Sequence, residues 1–248
     1  MKATGTLIAK SVFPARGRTG ASKSRRESFF RWLSILSVVV AAFAASSNAS
    51  AQHSYGILIN GSVRACDADT GISCYINTAA LASKDCANFA DHEMWYGVVP
   101  GGQYWVEVGV SSGTGQAGCV NQAIFWADNR NGGGYHEHYP NLAWALNSTY
   151  ELDIVQNGTS NCSWDVSFGT VYLGTSNRNC AGTGRYVAAG IETTSVASGM
   201  VARGTMSGWQ ERTCSNTWQS GWDNPALQQN LPVEIDFIGS ITYEAIVN

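Results

Sequence analysis

Strict period-two alternation runs through Tyr104–Val110 (YWVEVGV) and returns along most of the chain beyond residue 52. Successive side chains of a strand point to opposite faces, so such a pattern buries one face of a sheet; a helix, with its 3.6-residue period, cannot bury it. Tyr104, Val106, Val108 and Val110 share one side, and Trp105, Glu107 and Gly109 the other. Further strands are expected at 55–60, 94–99, 123–128, 135–139, 149–155, 163–168, 170–173 and 186–194, and near 233–238 and 241–247. Pro100-Gly101-Gly102, Asn129–Gly134 and Asn157-Gly158 are turn signals. A short helix fits Thr78–Lys84, but no long amphipathic helix and no internal repeat is visible. Roughly ten short strands with polar connections predict an all-β fold, an antiparallel two-sheet β-sandwich of concanavalin-like or jelly-roll type.

The N-terminus follows different rules. Residues 1–31 carry eight Lys and Arg and the single acid Glu27, and Trp32–Ala45 is an unbroken apolar run of 14 residues. Ala49-Ser50-Ala51 supplies an A-x-A cleavage pattern. Basic, apolar and small-residue regions in that order predict a signal peptide over 1–51, cut near Ala51-Gln52, and a secreted protein over 52–248. The apolar run is short for a membrane span. Ser24-Arg25-Arg26 makes twin-arginine export the alternative to Sec.

Dividing the chain there changes its charge. The whole sequence has 15 Lys and Arg against 18 Asp and Glu, a net of -3. Residues 52–248 keep 7 of those bases and 17 of those acids, a net of -10, with Lys84 as their one lysine. Such a surface repels phosphate backbones and anionic lipid, so neither a nucleic-acid partner nor stable membrane insertion after cleavage is expected. With 44% hydrophobic residues the chain is also too apolar for intrinsic disorder.

All seven cysteines follow residue 51: Cys66, Cys74, Cys86, Cys119, Cys162, Cys180 and Cys214. In an exported chain this composition reads as disulfides, with at most three bridges and one thiol left over. Cys66–Cys74 and Cys162–Cys180 are short loop closures that would fit, and 52–92 reads as a Cys-rich N-terminal extension of a single domain. There is no C-x-x-C pair, phosphate loop or G-x-S-x-G elbow. His136 and His138 would share a strand face as a metal site requires, with His92 or His53 as the remaining histidines; no metal and no cofactor is assigned.

Aromatic and acidic residues recur together. Trp105 pairs with Glu107 on one strand face, Trp126 with Asp128 on a second, Tyr135 and Tyr139 with Glu137 on a third, and Tyr186 with Glu192 on a fourth. Lining one concave sheet, they would form a groove walled by Trp and Tyr and floored by carboxyls. Stacking rings beside hydrogen-bonding carboxylates hold a polymer such as carbohydrate or peptide. Crowded carboxyls raise one another's pKa and supply a general acid.

At these residues the chain resembles the glutamic peptidases, or eqolisins, secreted acid proteases with a two-sheet sandwich. Tyr104–Gly109 is similar to their strand beginning Trp-Val-Gly-Ile, Ala123–Trp126 to their Ala-Ile-Leu-Gln, and Tyr135–Pro140 to their Tyr-Glu-Trp-Tyr-Pro run. The similarity runs over 104–140 and more weakly to 195. It implies groove roles for Trp105, Glu137 and Tyr139. That family's catalytic pair is a Gln and a Glu; Trp126 stands at the Gln position, with Gln122 four residues away, and Glu192 matches the Glu. Two functions are expected from this reading. One is an extracellular protein binding a polysaccharide or polypeptide through Trp105, Glu107, Trp126, Asp128, Tyr135 and Tyr139. The other is an acid endopeptidase using Glu192 with Glu137; a glycoside hydrolase or lyase using Glu107 and Glu137 is a further alternative.

Overall fold

The computed structural model describes residues 53–60, 70–83, 85–97, 105–130, 134–157, 163–177, 186–194, 200–220, 226–229, 233–237 and 243–247. The expected leader and cleavage site and the expected Cys162–Cys180 closure lie outside them. They contain fifteen strands and no helix: β1 (His53–Asn60), β2 (Gly71–Ala82), β3 (Phe89–Gly97), β4 (Trp105–Gly115), β5 (Gly118–Arg130), β6 (Gly134–His138), β7 (Thr149–Gln156), β8 (Ser163–Phe168), β9 (Val171–Asn177), β10 (Tyr186–Thr194), β11 (Val201–Arg212), β12 (Trp218–Ser220), β13 (Ala226–Gln229), β14 (Val233–Phe237) and β15 (Tyr243–Val247). No helix of the described residues is long and apolar enough to cross a membrane.

Two antiparallel sheets form the expected sandwich. A seven-stranded sheet has the order β13-β1-β10-β3-β4-β5-β6; an eight-stranded one has the order β14-β15-β11-β2-β7-β8-β9, with β12 paired to β11. Alternation explains the core. Met94, Tyr96, Val106, Val108, Ile124, Trp126 and Val187 of the first sheet meet Ile72, Ile76, Leu152, Ile154, Trp164, Val166 and Met206 of the second. Each residue between these faces outward, as period two demands.

The segment expected to be an N-terminal extension supplies β2 and β3, which lie mid-sheet. The helix expected over Thr78–Lys84 is absent up to Ala82, because β2 runs through it. A bulge between its pairings Ala80–Arg203 and Thr78–Gly204 breaks the alternation there and makes the Ala-rich end look helical. β11 was hidden in the same way. Its inward residues Ala202 and Met206 are followed by Trp209 because a register shift intervenes, and Gly208 takes φ +62° there.

Cys74 is a buried free thiol, so the Cys66–Cys74 closure is not made. Burial pushes its pKa up, and Asp153 and Glu151 add to that. Among the described residues Cys86 is bridged to Cys119, 33 positions further along the chain, and Cys214 is also disulfide-bonded. The Cys86–Cys119 bridge ties the turn before β3 to the start of β5. Closing a loop of that length restricts the unfolded chain, and typical bridges stabilise by about 2–4 kcal/mol. The Cys86→Ser/Cys119→Ser double variant is expected to lose stability in that range in urea titration, with the far-ultraviolet spectrum of a β protein retained.

Candidate functional site

Strand register brings the acidic residues to the outer face of the seven-stranded sheet. One row across it reads Glu137, Ala127, Glu107, Trp95, Ala188. The next reads Phe125, Gly109, Glu93, Gly190, and a third reads Ala123, Ser111, Asp91, Glu192. Five carboxyls therefore share one face, separated mainly by Ala, Gly and Ser. These small neighbours let the longer acid side chains lean toward one another. Gly109 is required outright: a Cβ there would sit 2.3 Å from the His92 carbonyl oxygen and 2.6 Å from the Glu93 Cβ.

The carboxyls are deeply set. Glu93 is 1% exposed and Glu107 5%, while Asp91, Glu137 and Glu192 are partly buried. Trp105 Nε1 donates to Glu107 Oε2 at 2.8 Å, and the Tyr135 hydroxyl donates to Oε1 at 2.6 Å. Both bonds favour the anion, yet burial outweighs them and pushes Glu107 up to about 8, with Glu192 and Glu137 raising it further. Burial likewise holds Asp91 well above the carboxylate range against a Ser111 hydrogen bond; Glu192, Glu107 and Glu137 add to it. Glu93 is raised by burial and then by Glu107, Asp91, Glu192 and Glu137. These mutual effects place all five groups in one electrostatic unit.

Glu137 is fixed from several sides. Its Oε2 accepts from the Gln116 backbone N–H at 2.5 Å and from the Tyr139 hydroxyl at 3.0 Å. The Gln116 carboxamide clasps the same strand, donating to Tyr135 O at 2.7 Å and accepting from Glu137 N at 3.1 Å. Tyr139 also contacts Phe125, with ring centroids 6.2 Å apart, and Trp105 lies 6.2 Å from Tyr135. Burial raises the pKa of both tyrosines, with neighbouring acids adding to it, so they remain hydrogen-bond donors at any working pH. Trp95, Trp105, Ala188 and Tyr135 form an apolar wall beside the acids.

Of the residues expected from sequence, Trp105, Glu107, Tyr135, Glu137, Tyr139 and Glu192 gather here. Tyr186 lies on β10, in register with Gly97, but its side chain is outside the described residues, as is Tyr104. Trp126 and Asp128 do not join them. Trp126 pairs with Val108 and Asp128 with Val106, the set that faces the other sheet. Trp126 is 5% exposed and stacks on His138 at 4.0 Å; Asp128 is fully buried. The two share a face as expected, but that face meets the second sheet. Gln122 is also directed elsewhere: its carboxamide donates to Leu81 O at 2.9 Å, across the sandwich. Among the described side chains, His92 does not join His136 and His138; that of His53 lies outside them. His92 is buried against Thr78, Nδ1 to Oγ1 3.0 Å, with β4 and β5 between it and β6, and no group of three potential ligands occurs among the described residues.

Asp91, Glu93 and Trp95 are site residues that the sequence reading missed. They share a face at i, i+2 and i+4 of β3. The expected strand starts at 94, whereas β3 starts at Phe89 and runs through the uniformly polar Asp91-His92-Glu93. Only the alternating sides of the sheet, His92 inward and the acids outward, reveal that run as strand.

No family model matches the chain, and no curated protein matches it. Among solved structures it is similar in fold to scytalido-glutamic peptidase with a transition state analog inhibitor: 10% identity, 79% of this chain and 99% of that one, TM-score 0.48. SCP-B of the eqolisin family, solved with the tripeptide Ala-Ile-His, has 9% identity, the same coverages and a TM-score of 0.42. The Caenorhabditis elegans galectin LEC-6 has 10% identity over 61% of this chain and 100% of that one, TM-score 0.33. Likeness at this level concerns the sandwich and assigns no residue a role.

Proposed function

We propose that the protein is exported and acts outside the cell as a carboxyl-dependent acid hydrolase of a polymer, with a polypeptide as the substrate favoured. The observation that carries this reading is the five-carboxyl unit on one aromatic-walled sheet face, in which burial holds Glu107 uncharged up to about pH 8. A surface meant only to hold a neutral chain has no need of buried carboxyls, which cost stability whenever they ionise. In hydrolysis one carboxylate takes a proton from water as that water attacks the carbonyl carbon. A second carboxyl gives a proton to the departing amine nitrogen. Glu192 and Glu137, partly exposed and on the two strands β10 and β6 that flank the acidic face, are the working pair, and Tyr139 and Gln116 hold Glu137 in place. Glu107 keeps the adjacent space free of extra negative charge.

A second reading, polymer binding without cleavage, is favoured by one observation. Where the resembling family has its Gln, Trp126 faces the core, and no carboxamide stands at that point. A casein digest between pH 2 and 7 separates the two. Cleavage strongest near pH 3, and at least about a hundredfold weaker in Glu192→Gln, is expected of the hydrolase. Retention on insoluble polymers with no cleavage at any pH selects binding instead.

A further inference from the structure

Glu93 is the least explained group of the site. It is almost wholly buried, and its Oε2 has no hydrogen-bond partner. Asp91 Oδ1 beside it is likewise buried and unpartnered. Buried acceptors are nearly always satisfied, and one left open on a functional face points to a missing donor. The neighbours of Glu93 across the sheet are Gly109 and Gly190, so neither offers a side chain to pair with it. Every titratable side chain described as interacting with it is an acid or a phenol: Asp91 on its own strand, Glu107 on β4, Tyr135 and Glu137 on β6, and Glu192 on β10. No base among the described residues supplies the cation that this arrangement calls for.

We propose that the floor around Glu93 and Asp91 is a subsite for a protonated alkylamine, the lysyl side chain of a bound polypeptide. This deepens the proposed function and rests on it. A lysyl stem is long, thin and apolar with three donors at its tip. The partly exposed carboxyls Asp91, Glu137 and Glu192 surround Glu93 on this face, and the largely buried Trp95, Trp105 and Ala188 beside them offer apolar surface to the stem. The ammonium then donates to the unpartnered Glu93 Oε2 and Asp91 Oδ1. An amine mounted directly on a sugar ring lacks this reach, so an amino-sugar polymer fits the site poorly. Residues 52–248 contain only Lys84, so the protein offers its own subsite almost no competing ligand.

The chemistry has a signature. Asp91, Glu93 and Glu107 are held protonated by burial and by one another. An ammonium among them favours the ionised forms, so binding expels a proton to the buffer while the amine keeps its own. A shielded surface pair formed by exposed acids binds lysine without that release.

Penta-lysine is titrated calorimetrically at pH 6 into the full-length exported protein, in two buffers of different ionisation enthalpy. Binding with release of about one proton is expected, and at least a tenfold weaker Kd in Glu93→Gln and in Asp91→Asn, each checked by melting. Nε-acetylated penta-lysine and an amino-sugar oligomer are expected not to bind. Equal binding of the acetylated peptide, absence of proton release, or an unchanged Kd in both folded variants overturns the subsite. Casein cleavage without penta-lysine binding removes the subsite and leaves the hydrolase. Penta-lysine binding with proton release and no cleavage of any polypeptide keeps the subsite and removes the hydrolase.

Discussion

The protein is expected to melt on the order of 5–10 °C lower at pH 8 than at pH 5, and Glu107→Gln is expected to remove much of that fall. Glu107 titrates near 4.5 when unfolded and near 8 when folded, so between those values the folded state holds a proton that the unfolded state has lost. Stability then declines as pH rises through that window and levels off above pH 8. The difference between those two values corresponds to roughly 5 kcal/mol as an upper bound. Asp91 and Glu93 are displaced in the same direction and steepen the decline. His92 works against them. Burial lowers it from 6.5 to about 3, so the unfolded state binds the extra proton and stability grows as pH rises from 3 to 6.5. One histidine offsets one carboxyl below pH 6.5; above it, the carboxyls act unopposed. Maximum stability therefore falls between roughly pH 4 and 6, on the acid side of neutrality. In Glu107→Gln the amide still accepts from Trp105 but no longer ionises. A gain on the order of 3–5 kcal/mol at pH 8, with little change at pH 4, is the expected denaturation result. A wild-type melting temperature that climbs from pH 5 to pH 8 would falsify the buried-acid account.

The architecture was legible where alternation is uninterrupted. β4, β7, β8 and β10 show one apolar and one mixed face, and their pattern names the strand and the residues that share each side. β2 and β11 were not legible, because a bulge shifts the inward set by one residue partway along each pairing. The candidate site was half legible for a related reason. Alternation states which residues share a side, but not which side meets the second sheet. For Trp105 with Glu107 and for Tyr135 with Glu137, the charged side was the outer one. Trp126 with Asp128 has the same composition yet faces inward, because Val108 and Val106 beside it do. Only register with a neighbouring strand makes that choice. Register also adds Glu93 and Asp91, whose polar run hides a strand, to acids that lie up to 101 residues further along the chain.

Trp164→Ala is the substitution expected to damage the fold most while leaving the acidic face chemically intact. Trp164 is 1% exposed on β8 of the eight-stranded sheet, and its ring lies 4.4 Å from that of Tyr96 on β3. The contact joins the two inner faces directly behind the site strand. Removing a buried indole costs about 3–5 kcal/mol through lost transfer energy and the cavity left behind, which is on the order of 10 °C in Tm for a domain of this size. Trp164→Phe separates packing from polarity. The Trp164 Nε1 has no hydrogen-bond partner, so phenylalanine surrenders ring volume but also removes a buried donor that costs about 1–3 kcal/mol when unpaired. The two effects oppose, and a net change within about 1 kcal/mol is expected. Urea titrations with a shared slope give both numbers. An alanine variant as stable as the wild type would mean that the sheets are not held together through this pair. Glu93 and Asp91 project from the other face of β3, so an alanine variant that stays folded should keep its penta-lysine Kd, and its loss of stability would appear without loss of binding.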